Sequence, residues 1–214
     1  MSQRTQAVLA FDDAPILGRM TLADRVAAYA ATIPFPDSVP VVSASGRWLC
    51  GVWLLGNNYV GSGYYGAYPP SYLRRVAALF PDIPCDRWLH LFSGSLGADV
   101  PGVRIDLRAP GAGVAPASVR ADARALPLAD GSVPLCAADP PYSTADATMY
   151  GTGPVNKPRV LQELARVVVP GGYLIWLDTT LPLYRKAEWH HWGMICVQRS
   201  TNHRTRLCSL FTRR

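Results

Sequence analysis

Two short runs, residues 133–138 (Val-Pro-Leu-Cys-Ala-Ala) and 173–177 (Tyr-Leu-Ile-Trp-Leu), carry no charged side chain on either of the alternating faces a strand would present. A strand apolar on both faces has to be covered on both, which places it inside a parallel sheet flanked by helices. The second run follows a segment, 159–169, whose apolar residues Val160, Leu161, Leu164, Val167 and Val168 recur at helical spacing. Pro170-Gly171-Gly172 between them is predicted to stop the helix. A helix feeding a buried strand is one step of an α/β sheet, and the rest of the chain repeats that step.

The order of elements follows from the same patterns. Thr21 is a candidate N-cap for a helix carrying Leu22, Val26, Tyr29 and Ala30, which Pro34, Pro36 and Pro40 break; residues 1–46 read as an N-terminal arm or lid. Residues 47–72 are rich in glycine and aromatic rings, among them Trp48, Trp53, Tyr59, Tyr64, Tyr65 and Tyr68. They read either as a wall around a flat ligand or as a twisted hairpin packed on the core. Pro70-Ser71 opens a helix from Tyr72 to Phe80. Strands are expected at 87–92, 103–106 and 118–123, before the 133–138 run, and a polar loop at 143–158. Residues 193–198 and 205–211 form a closing antiparallel hairpin. A length of 214 residues suits one domain with a full core, here 47–214 behind the arm.

Charge and cysteine usage narrow the class. A formal net charge of +6 favours an anionic partner, and Arg199, His203, Arg204, Arg206, Arg213 and Arg214 gather near the end of the chain, against phosphates or on a solvated hairpin. The five cysteines are widely spaced without a CxxC pair and read as reduced core residues; the four histidines lack metal-ligand spacing, so no metal is expected. No signal-peptide pattern and no membrane-length apolar run is present, which leads to an expectation of a soluble cytoplasmic protein with no membrane partner.

Acids end three of the expected strands, and each carries a chemical expectation. The first strand runs into Phe92-Ser93-Gly94-Ser95-Leu96-Gly97, a glycine turn that lets a ligand approach the backbone. Asp106 ends the second strand, where dinucleotide-binding sheets grip a ribose diol. Asp122-Ala123 ends the third, either holding an adenine ring or capping a turn. The 133–138 strand ends in Asp139-Pro140-Pro141-Tyr142. The Asp139 carboxylate and the Pro140 carbonyl both accept hydrogen bonds, the prolines add no competing N–H, and Tyr142 offers a ring to stack on; the bland alternative is a strand stop and turn.

Taken together, the glycine turn at 92–97, Asp106, Asp122-Ala123, the DPPY tetrapeptide and the 163–176 stretch resemble class I S-adenosylmethionine-dependent methyltransferases. DPPY in this frame is similar to the amino-methyltransferases that act on N6 of adenine in DNA. The resemblance implies a Rossmann-like fold with a mostly parallel seven-stranded sheet and a C-terminal antiparallel hairpin. It implies S-adenosyl-L-methionine as cofactor, with Phe92, Ser93, Gly94, Ser95 and Gly97 on the methionine part, Asp106 on the ribose, Asp122 and Ala123 on the adenine, and Asp139 also lining the pocket. It implies catalytic Asp139, Pro140 and Tyr142, and a target base against Pro141, Tyr142, Ser143, Tyr64 and Tyr65. The implied partner is nucleic acid, DNA first; homodimerisation stays open. The rivals are methylation of an RNA base (adenine N6 or guanine N2) and a catalytically silent nucleic-acid-binding subunit. The chain departs from the pattern in two places: residues 98–102 leave no room for a full helix after the glycine turn, so the first crossover is expected to be abbreviated, and no insertion after DPPY is large enough for a separate target-recognition domain, so a relaxed target preference is expected.

Overall fold

A computed structural model describes residues 20–56, 68–107, 117–200 and 204–214. Tyr64 and Tyr65 lie outside the described residues. Nine strands form a single sheet in the order β1-β2-β8-β9-β7-β6-β3-β4-β5. In chain order the elements are α1 (Leu22–Thr32), β1 (Val41–Val42), β2 (Leu49–Leu55), α2 (Tyr72–Leu79), β3 (Trp88–Leu91), β4 (Val103–Asp106), β5 (Val119–Arg120), β6 (Val133–Ala138), α3 (Thr144–Met149), α4 (Lys157–Val167), β7 (Val168–Asp178), β8 (Trp189–Arg199) and β9 (Arg206–Arg213).

The expected parallel sheet is present and larger than seven strands. β3 lies between β4 and β6, both parallel to it, and β7 continues the parallel set beyond β6. β9 then enters antiparallel between β7 and β8, forming the closing hairpin. The two extra strands come from the N-terminal side. β2 pairs parallel with β8, and β1 pairs antiparallel with β2. Their cause is legible in β2 itself, where Leu49, Trp53 and Leu55 are buried while Cys50, Val52 and Leu54 are exposed. That alternation is the signature of a strand covered on one face.

β6 and β3 are buried at every position, as a strand between two covered faces must be. One apolar cluster lies on the face carrying α1 and α2 and includes Trp53, Tyr72, Leu79, Trp88 and Leu210. The other lies under α4 and includes Leu91, Cys136, Leu161, Leu164, Trp176 and Phe211. Thr21 caps α1 as expected, with a capping box to Asp24, and Asn156 caps α4 by accepting from the Arg159 N–H.

Three local expectations are corrected. Pro170-Gly171-Gly172 does not separate helix from strand: α4 ends at Val167, and β7 begins at once and carries these residues within it. The pairing with β6 jumps from Val133↔Val168 to Leu135↔Tyr173, so the extra residues bulge out. Gly171 adopts φ +82°, and a Cβ on Gly172 would lie 2.9 Å from the Pro134 carbonyl oxygen, so glycine is required there. The expected 118–123 strand shrinks to Val119–Arg120, because Asp122 folds into a turn. The 143–158 loop contains α3, started by the Ser143 side chain, which accepts from the Asp146 N–H.

Between β3 and β4 the crossover holds turns and no α-helix, as the spacing predicted. Leu96 N–H bonds the Ser93 carbonyl, Val100 N–H bonds the Gly97 carbonyl, and Arg104 donates to the Leu96 carbonyl. β4 is thereby held beside β3 without the usual covering helix.

Residues 20–46 join the body through Arg25, which is 1% exposed. Its guanidinium forks onto Asp82 through two 2.8 Å bonds and donates to the Leu79 carbonyl and the Tyr173 hydroxyl. The same group lies over the Phe80 and Tyr173 rings. One side chain thus ties α1 to the end of α2 and to β7. Breaking a buried pair on one side strands the other charge, whereas replacing both by apolar groups is close to neutral. Asp82→Ala is therefore expected to lower the unfolding free energy by about 3–5 kcal/mol, and Arg25→Met with Asp82→Leu to recover most of it, as read by urea denaturation.

Candidate functional site

The chain direction across the sheet reverses at β3. From β3 it proceeds outward through β4 and β5, then returns to β6 on β3's other side. The carboxyl ends of β3 and β6 therefore flank the crevice where open α/β sheets bind ligands. Leu91 and Ala138 are in register there, and the Asp139 N–H reaches the Leu91 carbonyl at 3.4 Å. The glycine turn and the DPPY tetrapeptide, 47 positions apart from Phe92 to Asp139, leave adjacent strands side by side.

The glycine turn is built from two left-handed residues, Phe92 at φ +59° and Gly94 at φ +52°. A phenylalanine in that region costs energy that the flanking contacts must offset. They do so through the Ser93 N–H on the Ile105 carbonyl and the Gly94 N–H on Asp106 Oδ2 at 2.9 Å. Ser93 is buried, while Gly94, Ser95 and Gly97 are half-buried. Asp106, at the end of β4, is thus brought onto the turn. A carboxylate beside a backbone turn at this edge can accept hydrogen bonds from hydroxyl or amine donors.

Asp122 is placed differently from the ring-holding alternative. Its carboxylate accepts from Arg124 Nε and Nη2 and from the Arg124 N–H, and its carbonyl accepts from the Ala125 N–H. These bonds to Arg124 hold its pKa below the usual carboxylate range despite some desolvation. The turn-capping alternative describes this geometry, and in it both oxygens are committed. Ala123 is buried in the cluster under α4.

At DPPY, Pro140 is buried, and Asp139, Pro141 and Tyr142 are half-buried. Tyr142 folds back on its own motif: its hydroxyl donates to Asp139 Oδ1 at 2.6 Å. The hydroxyl in turn accepts from Arg206 Nε at 2.9 Å. The guanidinium carbons of Arg204 and Arg206 lie 5.4 and 5.5 Å from the Tyr142 ring centre, so cations occupy the neighbourhood where a stacked base was expected. Ser143 is exposed and committed to α3, donating to Asp146 Oδ2 and capping the Asp146 N–H. Arg204 reaches Asp146 Oδ1 at 2.9 Å.

Burial drives the Asp139 carboxyl upward, to about 7; the Tyr142 hydroxyl and the Arg206 charge work against that rise, and Asp178 adds to it. Burial and the neighbouring Asp139 charge push the Tyr142 phenol well above its ordinary value, so it remains a donor. A carboxyl raised to about 7 at a sheet's switch point is a perturbed group in a crevice, the pattern of a functional site.

Several contributing residues were not singled out as site residues from sequence. Lys157 Nζ donates to the Tyr142 carbonyl at 3.1 Å and pairs with Asp178 Oδ2 at 2.6 Å. Asp178 is fully buried at the end of β7 and also accepts from Trp176 Nε1 and the Thr179 N–H. An acid closing an apolar strand was its available signal, the same one that marks Asp139. Arg204 and Arg206 were visible only as members of the basic C-terminal cluster. Tyr68 donates to the Ala137 carbonyl and stacks on Tyr72, lining the other side of β6.

Among the described residues no group of His, Cys, Asp and Glu is arranged to hold a metal ion, and no helix is long and apolar enough to cross a membrane. No protein-family model matches the chain, and no curated protein matches it.

The Asp139 shift fixes a sign. Its folded pKa, about 7, lies above the ordinary 3.8, so between those values the folded chain binds more protons than the unfolded one. Stability contributed by the protonated carboxyl is fully present below about pH 4 and is lost as pH rises through about 7. Asp139→Asn is expected to flatten that decline in a series of urea titrations across this window; an unchanged slope would count against the perturbed carboxyl.

Proposed function

We propose that this chain is an S-adenosylmethionine-dependent methyltransferase acting on an exocyclic amino group, with N6 of adenine in DNA as the leading target. The observation that carries the reading is the juxtaposition at the sheet's switch point. The Asp139 acceptor lies one hydrogen bond from the end of β3, immediately before the Phe92–Gly94 turn that Asp106 holds. The order β5-β4-β3-β6-β7 supports reading the sheet as doubly wound and Rossmann-like, and the reversed β9 beside it supports a class I methyltransferase arrangement. The net charge of +6 is in keeping with a nucleic-acid substrate.

In this reading Phe92, Ser93, Gly94 and Gly97 line the methionine part of the cofactor and Asp106 meets its ribose. Bound S-adenosylmethionine supplies a methyl group on a sulfonium, already a good leaving group. The protein's task is then alignment and activation of the nucleophile. An exocyclic amine is weakly nucleophilic because its lone pair is delocalised into the ring. The Asp139 carboxylate and the Pro140 carbonyl accept its two hydrogens and favour the tetrahedral nitrogen that attacks. Lys157, by holding the Tyr142 carbonyl, fixes the far end of the tetrapeptide. A base in a duplex has to leave the stack at a cost of a few kcal/mol, offset in part when Tyr142 turns off Asp139 and stacks on it.

Methylation of an RNA base uses the same chemistry. A silent nucleic-acid-binding subunit draws on one specific observation, the commitment of the Asp122 carboxylate to Arg124. The decisive experiment is nucleoside mass spectrometry on unmethylated DNA and RNA incubated with the protein and S-adenosylmethionine, with cofactor binding followed by calorimetry. N6-methyl-deoxyadenosine is expected in DNA. Asp139→Ala is expected to abolish it while cofactor binding persists. Wild-type turnover in that variant would sink the assignment of Asp139, and absence of cofactor binding by the wild type would leave the silent subunit.

A further inference from the structure

Arg206 is nine-tenths buried on β9, yet only part of its donor capacity is used. Its Nε donates to the Tyr142 hydroxyl, while Nη1 is enclosed and has no acceptor. A buried guanidinium N–H without a partner carries an uncompensated desolvation cost, and such a group in a crevice calls for an acceptor that arrives with a ligand. Among the described residues the Asp139 carboxylate, the Tyr142 ring and the neighbouring Arg204 face this region, and the Asp178 carboxylate is near enough to act on Asp139.

The Tyr142 hydroxyl shows what kind of group this place accommodates. It donates to Asp139 and accepts from Arg206 at once, which a hydroxyl can do. Anything that replaces it has to present a donor to the carboxylate and an acceptor to the guanidinium. An amine conjugated to a ring is a donor only, so the acceptor has to be its neighbour. Adenine supplies that pair on either side of its amino group, with N1 on one edge and N7 on the other; cytosine supplies it with N3. An alkylamine carries no such acceptor. Guanine places an N1–H donor on one side of its amine, which would oppose Arg206, and the N3 acceptor on the other, so it supplies the pair on one edge only. The phosphate of a nucleotide is separated from the amine by the sugar and the ring, whereas Arg206 is one hydroxyl away from the carboxylate that holds the amine.

Resting on the reading of Asp139 as the amine acceptor, we infer that Arg206 is a specificity residue that donates to the ring nitrogen flanking the target amine, restricting the substrate to ring amines with an acceptor nitrogen beside them, adenine first, and excluding alkylamines. Tyr142 occupies this donor and acceptor pair in the free protein and leaves it when the base enters.

The test compares three sets of mixed-sequence DNA oligonucleotides, with adenine, 1-deazaadenine or 7-deazaadenine at every adenine position. Methyl transfer by the full chain is measured at about pH 8.5, where a carboxylate titrating near neutrality is ionised. One of the two deaza bases is expected to lower kcat/KM by about 10–100-fold with the wild type, the loss of one charge-assisted hydrogen bond. In Arg206→Met that base and adenine are expected to be methylated alike; should Arg206→Met not fold, the wild-type discrimination between the two deaza bases carries the test alone. Which deaza base is discriminated identifies the edge that is read. Wild-type indifference to both deaza bases, with adenine methylated, overturns the inference and leaves Asp139 as amine acceptor standing. An equal loss for all three bases in the variant overturns it too, making Arg206 a positioning residue acting through Tyr142. No methyl transfer to adenine in DNA or RNA by the wild type removes the underlying reading, and the inference with it.

Discussion

β7 is the strand on which the two halves of this sheet depend. It pairs parallel with β6 on one side and antiparallel with β9 on the other, so its backbone N–H and C=O groups carry the strand pairing that joins the β3–β6 half of the sheet to the hairpin half. The strand runs out into Asp178, a carboxylate with no exposure, compensated by Lys157, Trp176 Nε1 and the Thr179 N–H. Stranding one partner of such a group is costly. Lys157 serves this buried acid and the Tyr142 carbonyl together, so the electrostatics that finish β7 also restrain the tetrapeptide beyond β6.

The same sheet edge brings β9 residues to a site that begins on β6. Arg206 pairs in register with Val197 at the start of β9, and its side chain crosses to the Tyr142 hydroxyl. The antiparallel entry of β9 matters here. A strand running parallel to β6 would present its carboxyl end at this edge, whereas β9 presents its first residue, immediately after the 204–205 approach that carries Arg204 to Asp146. Both arginines are thus delivered to Tyr142 by the hairpin's direction.

How much of this was legible in the sequence depended on whether a signal is local. The apolar runs at 133–138 and 173–177 had no other stable setting than a covered sheet, and both became buried strands. The Thr21 cap of α1 is contained within four residues and needs no tertiary knowledge. The bulge at Pro170–Gly172 was misread because glycine after proline marks a helix stop and a strand bulge alike; only the pairing partner, Pro134, distinguishes them. β2 escaped because its alternation is cut by Gly51 and embedded in a segment whose aromatic content pointed elsewhere. In the site, the strand-end acids were visible as a series, but their partners were not. Nothing in the sequence near Asp122 announces that Arg124 will fork onto it, and nothing near Asp139 announces Arg206, 67 positions later.

The fold-back of Tyr142 has an energetic logic. With no base present, a carboxylate and a guanidinium face each other across a half-buried crevice, and either left without a partner would carry a desolvation cost. The hydroxyl of Tyr142 satisfies one bond of each and takes a position that a stacked base would contest. It does not satisfy Arg206 Nη1, so the free site is a compromise and not a minimum for every group in it. Under the proposed function, a base presenting both a donor and an acceptor would exchange the tyrosine's single atom for two and add ring stacking on Tyr142. A ligand with an amine alone would replace only the bond to Asp139, leaving the guanidinium poorer than before. Discrimination in that reading would come from the penalty of abandoning Tyr142 without a full replacement.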